Sequence, residues 1–196
     1  MTNTYIIPAD YWDARARQGI GMAECGVLQT SLRQLMEYRY NNKWTILEVG
    51  TGDGRIYQYW KERIYQYWKE RNHWPRWERY HGCDISAEWA KLCEERTGLH
   101  VDVYDGITLP YDDDSFDWVI SFSVLLHVPP ADVAQHVAEL VRVARRYVFV
   151  STYTGTSEGL APHCFAHDYG ALFGGLRVIE YRRFVAEQNA QWLIAV

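Results

Sequence analysis

Residues 45–55 read TILEVGTGDGR, a β-branched and apolar run that ends in glycines at 50, 52 and 54. The run predicts a strand and the residues behind it a helix. Glycine between the two lets the backbone turn tightly and approach a ligand closely, while the first amides of the helix point at it. Taken alone, the stretch also fits a plain turn between a strand and a helix. Its meaning is decided further along the chain.

YHGCDIS (80–86) predicts a second strand that ends at Asp84. In nucleotide-binding sheets an acidic residue at the end of the second strand, about 20 residues past the glycines, holds the ribose hydroxyls. Asp84 lies 30 residues beyond Gly54, which is too far. Between them, however, the segment RIYQYWKE occurs twice in perfect tandem, at 55–62 and 63–70. With one copy discounted the gap is 22 residues, so the repeat reads as an insertion within the helix behind the glycine loop. Asp84 could instead only cap the helix that starts near Ser86. Nothing in RIYQYWKE resembles a turn, so the helix is expected to run on, from about Gly54 to Asn72, with Pro75 soon after its end. Tyr57, Trp60, Ile64, Tyr67 and Arg71 then follow one another at three- and four-residue spacing, an apolar stripe broken by Arg71 alone. About two turns of that helix would project past the sheet, and the exposed aromatic patch suggests a homodimer through its outer end; folding back onto the N-terminal arm is the alternative.

The rest of the chain alternates in the same way. SAEWAKLCEERTG predicts a helix capped by Ser86 and stopped at Gly98, HVDVYDG a third strand, FDWVISFSVLLHV a long apolar fourth strand, and ADVAQHVAELVRVARR a helix with arginines in its last turn. RYVFVSTY is a fifth strand, followed by a short helix near Asp168–Phe173, a strand around Leu176–Phe184 and a final strand, QWLIAV. Strands alternating with helices imply a sheet covered on both faces. Leu28–Tyr40 predicts one further helix, and residues 1–27 an N-terminal arm. No linker separates a second domain, so residues 1–196 are expected to form one domain, with 1–44 as a lid and 45–196 as the core.

Four motifs in this order resemble the class I S-adenosylmethionine-dependent methyltransferases. ILEVGTGDGR resembles their first motif, an acid followed by G-x-G-x-G, and differs from the dinucleotide fingerprint G-x-G-x-x-G. YHGCDIS resembles the ribose-binding strand end, and VDVYDGITLPYDDDSFDWVISFSVLLHV the third and fourth motifs. The likeness covers residues 45–154 well and the remainder loosely. It implies an α/β fold, a three-layer Rossmann-like sandwich around a mostly parallel seven-stranded sheet whose last strand is antiparallel. It implies S-adenosyl-L-methionine as cofactor, with S-adenosyl-L-homocysteine as product.

The resemblance also implies roles for individual residues. Glu48 would lie beside the methionine amino group, with Gly50, Thr51 and Gly52 under the methionyl and ribose portion. Asp84 would accept from both ribose hydroxyls, Ile85 would pack on the adenine, and Asp105 with the Gly106 backbone would read its edge. Ser121 and Phe122 would face the sulfonium and the methyl acceptor. His127 is the best-placed candidate for a catalytic base, because an unperturbed imidazole titrates near neutrality; a packing role is its alternative. Tyr11, Trp12, Tyr153, His163 and His167 are candidate acceptor contacts, drawn from the arm and from the loop after the fifth strand. His163 and His167, four apart with Cys164 between them, suggest a metal site, but no third ligand beside the pair is evident and no metal is expected.

Other features exclude. A net charge of -5 offers no footprint for a polyanion, and no Asn-Pro-Pro-Tyr tetrapeptide follows the fourth strand, so nucleic acid is not the expected substrate. No run approaches the ~18 apolar residues of a membrane span, and the start of the chain lacks the pattern of a signal peptide, so a cytoplasmic location is expected. Four scattered cysteines fit reduced thiols. The absence of a cap domain leaves the arm and the loop 153–169 to cover the site, which suits a small acceptor of partly aromatic or apolar character. Catalytically inactive cofactor binding, service as a non-catalytic partner subunit, and non-methylating use of the same cofactor are the alternatives to methyl transfer.

Overall fold

In a computed structural model, which describes residues 9–19, 43–69, 79–156, 158, 160–186 and 188–196, seven strands pair into one sheet in the order β3-β2-β1-β4-β5-β7-β6. The strands are β1 (Ile46–Val49), β2 (Tyr80–Asp84), β3 (Val101–Val103), β4 (Phe116–Phe122), β5 (Ala144–Tyr153), β6 (Arg177–Phe184) and β7 (Asn189–Ala195). β1 to β5 are parallel, and β7 runs antiparallel to both of its neighbours, β5 and β6. The helices are α1 (Ala9–Arg17), α2 (Arg55–Lys69), α3 (Ala87–Thr97), α4 (Val133–Val143) and α5 (Tyr169–Phe173). The expected helix at 28–40 falls outside the described residues.

Alternation along the strands assigns the two faces. Leu47, Val49, Val119, Val148 and Val150 point to a core that includes Val137 and Leu140 of α4. Ile46, Trp118, Ile120 and Phe149 point the other way, to Ile56, Tyr57 and Trp60 of α2 and Ala90 and Cys93 of α3. Both faces of the central strands are thus dry, as parallel pairing requires.

The helix ends follow their local chemistry. The Ser86 side chain accepts from the Trp89 amide at the start of α3, and Gly98 closes it in the left-handed conformation (φ 75°). Asp168 caps α5 by accepting from Ala171 N at 3.0 Å. α2 passes through the junction of the two repeat copies as one helix as far as Lys69, so the duplicated segment lengthens the helix. The side chains of 63–69 and all of 70–78 are outside the described residues, and with them the outer end on which the dimer expectation rests.

Two expected elements are shorter than the sequence suggests. The fourth strand stops at Phe122, because Ser123 takes a left-handed conformation (φ 60°) and a single 3-10 turn, Leu125–His127, follows. The helix of 131–146 ends at Val143, and β5 begins without a linker at Ala144. Only Arg142 remains in its last turn. Arg145 and Arg146 instead bracket Asp117 at 3.4 and 3.1 Å, a carboxylate only 8% exposed, and together with the Thr45 amide, which contributes most, they hold its pKa down despite burial.

Candidate functional site

The carboxyl ends of β1, β2 and β4 open into a cleft with an empty volume of about 920 Å³, part of it continuous with solvent. In open α/β sheets this edge, where neighbouring connections leave in opposite directions, is where ligands bind.

One wall of the cleft is the loop after β1. Gly50 N and Thr51 N donate to the Cys83 carbonyl at 2.8 and 3.1 Å, and Thr51 Oγ1 donates to Glu48 O and Cys83 O at 3.1 and 3.3 Å. These bonds hang the loop on the end of β2. Gly50 sits at φ 74°, and a Cβ there would lie 2.3 Å from Val124 Cγ2, so any side chain would push into the opposite wall. Gly54 sits at φ 78°, and its Cβ would meet Cys93 Sγ at 2.6 Å, which lets α2 start hard against α3.

The second wall is the end of β2. Asp84, 6% exposed, accepts from Gly52 N on one carboxylate oxygen (2.8 Å) and from Ser86 N on the other (2.9 Å). Burial raises its pKa to about 6, against the pull of those amides. Ile85, Trp89 and Tyr104 line the cleft beside it. Next, Asp105 Oδ1 accepts from Ile107 N and Thr108 N (2.8 and 2.7 Å), and His136 from α4, fully buried, lies with Nδ1 3.1 Å from the Gly106 carbonyl. His136 steadies the Asp105–Gly106 turn from below, a support that no motif announces.

The third wall is built from segments far apart in sequence. α1 lies across the cleft and is tied down on both flanks. Asp13 Oδ1 accepts from the Ser86 hydroxyl and from Glu88 N (3.2 Å), and Arg17 pairs with Glu88 at 3.2 Å. On the other flank the Trp12 ring meets His127 edge-on at 4.7 Å between centroids, and the Tyr11 hydroxyl lies 3.0 Å from His163 Nδ1. Trp12, Arg15 and His127 line the cleft; Tyr11 and His163 pack behind them.

Several expected contacts therefore fall elsewhere. Glu48 does not reach the cleft: strand alternation puts it on the α2 face with Ile46, where its carboxylate accepts from the Tyr80 hydroxyl at 2.7 Å and burial raises its pKa to about 8. Ser121 is buried on the α4 face and Phe122 packs toward the α2 face. The cleft is lined instead by Ser123 and Val124, where the left-handed turn redirects the chain. Thr51 staples the loop from behind. Tyr153 donates to the Thr156 carbonyl at 3.2 Å and His167 Nε2 lies 2.9 Å from the Leu125 carbonyl, both away from the cleft. Sequence reasoning missed Trp89, Tyr104, Ser123, Val124 and Asp132 as lining residues; Tyr104, Ser123 and Val124 lie inside the motif stretch 101–128, and Trp89 and Asp132 a few residues beyond a motif, which was their only signal.

His127 carries a further correction. Its Nδ1 lies 3.1 Å from the His163 carbonyl, and burial pushes its pKa down to about 4 against the pull of that carbonyl, with the charges of His163 and Arg15 acting alongside burial. The ring is neutral at pH 7 and does not titrate near neutrality. Because a carbonyl can only accept, Nδ1 carries the proton and Nε2 is left as the lone-pair atom. His127, His163 and Cys164 bring their ligating atoms within 4.8 Å of one another, so the histidine absent from the local sequence arrives from the end of β4 and His167 takes no part. One feature opposes a cation there: Arg15 lies close enough to depress the pKa of both histidines.

The family is shown by comparison. Residues 47–150 match the model of the methyltransferase domain family, and the chain belongs to the class I S-adenosylmethionine-dependent methyltransferases. Among solved structures, a chain from the complex between the Haloferax volcanii Trm112 methyltransferase activator and a methyltransferase is 18% identical, with a TM-score of 0.69, over 98% of this chain and 97% of that one. An S-adenosylmethionine-dependent methyltransferase from Aquifex aeolicus is 16% identical (TM-score 0.65; 94% and 98% covered). Magnesium protoporphyrin IX methyltransferase from Synechocystis, with bound S-adenosylhomocysteine, is 14% identical (TM-score 0.65; 95% and 97% covered). At these identities the likeness is one of fold. No curated protein sequence matches the chain significantly.

S-adenosylmethionine is the cofactor of this family, and the cleft fits it. A carboxylate offers about four acceptor positions. Asp84 uses one on each oxygen for backbone amides, so each oxygen keeps one for a vicinal diol. Ile85 gives an apolar surface next to it, and Asp105 keeps Oδ2 clear of the turn bonds that occupy Oδ1.

Proposed function

We propose that the chain transfers a methyl group from S-adenosylmethionine to a small-molecule acceptor, and that the cleft holds donor and acceptor end to end. The observation that supports this most is the continuity of one cleft from Gly50, Gly52 and Asp84 to Trp12, Arg15 and His127. In this reading Asp84 takes the ribose hydroxyls, Ile85 and the Asp105–Gly106 turn take the adenine, and the acceptor lies under α1. Glu48 works from behind the loop, through Tyr80, rather than on the methionine amino group.

The donor supplies an already activated methyl group on a sulfonium. The chain's part is to align the acceptor and exclude water. α1 does this as a lid, with Trp12 packed on His127. His127, neutral at pH 7, serves as a hydrogen-bond acceptor that orients an acceptor O–H or N–H; with a pKa of about 4 it is a weak base. With a small molecule as acceptor, we take neither a nucleic acid nor a membrane as its partner and place it in the cytoplasm. Among the described residues no helix is long and apolar enough to cross a membrane.

The test is incubation with methyl-labelled S-adenosylmethionine and a panel of small aromatic and apolar acceptors, scoring labelled product and S-adenosylhomocysteine together. Labelled product supports transfer, whereas adenosylhomocysteine formed at the same rate without any acceptor contradicts it. A second reading draws on the fold match to a chain from a complex with a methyltransferase activator: the chain turns over only with a protein partner. Its mark is cofactor binding without product until a cell extract is added. A homodimer through the outer end of α2 is a separate proposal, tested by light scattering on the full chain and on a variant lacking residues 63–70.

A further inference from the structure

Arg15 stands apart from the other ionised groups of the cleft. Asp53, Asp84, Asp105 and Asp132 line it with two arginines, Arg15 and Arg55. Arg55 has Asp53 3.6 Å away. Arg15, half-buried, has no carboxylate within ion-pair distance among the described residues. Its contacts are with a neutral group: Nη1 donates to the Tyr11 hydroxyl at 3.3 Å, and the guanidinium lies 5.9 Å from the centre of that ring. One turn of α1 places it beside Trp12, so a cation and an indole share the helix face turned to the cleft.

With no counter-ion among the described residues, this half-buried guanidinium gains most from an anion that brings its own charge into the cleft. Its planar fork suits the two oxygens of a carboxylate. The groups beside it do not compete for the role. His127 and His163 are held neutral, their pKa values lowered by burial with Arg15 contributing, and the thiol of Cys164 is raised by burial. Of the four acids that line the cleft, Asp53, Asp84 and Asp105 gather on the β1 loop and the β2 and β3 ends and Asp132 stands at the start of α4, while Asp13 on α1 is engaged with Ser86 and Glu88.

Resting on the methyltransferase reading, we propose that Arg15 is the carboxylate-binding residue of the cleft, pairing through its guanidinium with a ligand carboxylate held against Trp12. Two sources bring that chemistry: the α-carboxylate of the methionyl part of the cofactor, or a carboxylate on the acceptor. Both would close α1 over the ligand, since Arg15 and Trp12 belong to that helix.

Calorimetry on the full chain and on Arg15→Met separates the sources. S-adenosylhomocysteine and 5′-methylthioadenosine share the adenosine and differ in the amino-acid part. If the cofactor is the source, Arg15→Met weakens adenosylhomocysteine at least tenfold and leaves methylthioadenosine unchanged, and Arg15→Lys recovers part of the loss. If the acceptor is the source, adenosylhomocysteine is unchanged. With it bound, benzoate, phenylacetate or indole-3-acetate then binds the natural chain at least tenfold more tightly than the matching amide, and the preference is lost in Arg15→Met. Unchanged affinity for adenosylhomocysteine together with no preference for acids over amides overturns the assignment of Arg15 and leaves the methyltransferase reading standing. Failure of adenosylhomocysteine to bind the natural chain overturns both. Equal melting temperatures and circular dichroism show that the variants are folded.

Discussion

The two ends of the cleft are made in different ways. At the cofactor end, Gly50, Thr51, Asp84 and Asp105 are bonded to backbone atoms within the same few strand ends, and the parallel register of β1 and β2 sets their places. At the end proposed for the acceptor, Trp12, Arg15 and His127 come together through contacts of their side chains between α1, the 3-10 turn after β4 and the loop after β5. The first is a property of the sheet, whereas the second depends on docking one nine-residue helix. Changes at Gly50 or Asp84 on one side and at His127 on the other should accordingly separate cofactor affinity from acceptor handling.

The largest effect is expected at Gly50. Gly50→Val forces a β-branched residue into a left-handed backbone and drives it into Val124, and adenosylhomocysteine binding should fall more than a hundredfold by calorimetry. A variant that binds normally would show that the loop is not held as described.

Glu48 gives a pH test of the framework behind that loop. Its folded pKa of about 8 lies above the ordinary 4.5, so the folded state keeps a proton that the unfolded state has released. Stability should therefore fall as pH rises from about 4.5 to about 8, at up to about 1.4 kcal/mol per pH unit from this group. Glu48→Gln keeps an acceptor for Tyr80 and should flatten that slope in melting temperature against pH. A slope unchanged by the substitution would move the charge elsewhere.

At the acceptor end, His127→Gln should lower kcat by about tenfold or more while cofactor affinity stays within about threefold. The pH profile between 6 and 8 should be the same in both proteins, since His127 titrates near 4. A limb near neutrality that disappears with the substitution would restore His127 as an ordinary base. The smallest effect is expected from Asp13→Asn, which weakens the bonds from Ser86 and Glu88 that dock α1. It should cost about 1 kcal/mol and open α1 to limited proteolysis, with the sheet intact. Protection equal to that of the natural chain would mean that Trp12 and His127 dock the helix without it.

The same contrast explains what could be read from the sequence. The sheet, the loop glycines, Asp84 and Asp105 were legible because strand periodicity and motif spacing are local, once the second RIYQYWKE was discounted. Ser121 and Phe122 were placed one or two residues early, since a left-handed Ser123 carries no signal in a run as apolar as FDWVISFSVLLHV. Glu48 fits the motif, yet alternation behind Ile46 sends it to Tyr80. The arrangement of Trp12, Arg15, His127 and His163 spans 151 residues of sequence and is set by docking, which no periodicity encodes. The fall of the His127 pKa has the same origin, because burial is decided by what packs on the ring.

The most direct test of the account is the affinity of Asp84→Ala for S-adenosylhomocysteine, measured by calorimetry beside the natural chain and across pH 5 to 8. Losing charge-assisted hydrogen bonds worth roughly 1.5 to 3 kcal/mol each should weaken binding at least tenfold at pH 8. In the natural chain, affinity should decline as pH falls below about 6, where Asp84 takes up a proton, and in the variant that decline should vanish. Equal affinities in two folded proteins, with the same pH dependence, would contradict the placement of the cofactor at the end of β2.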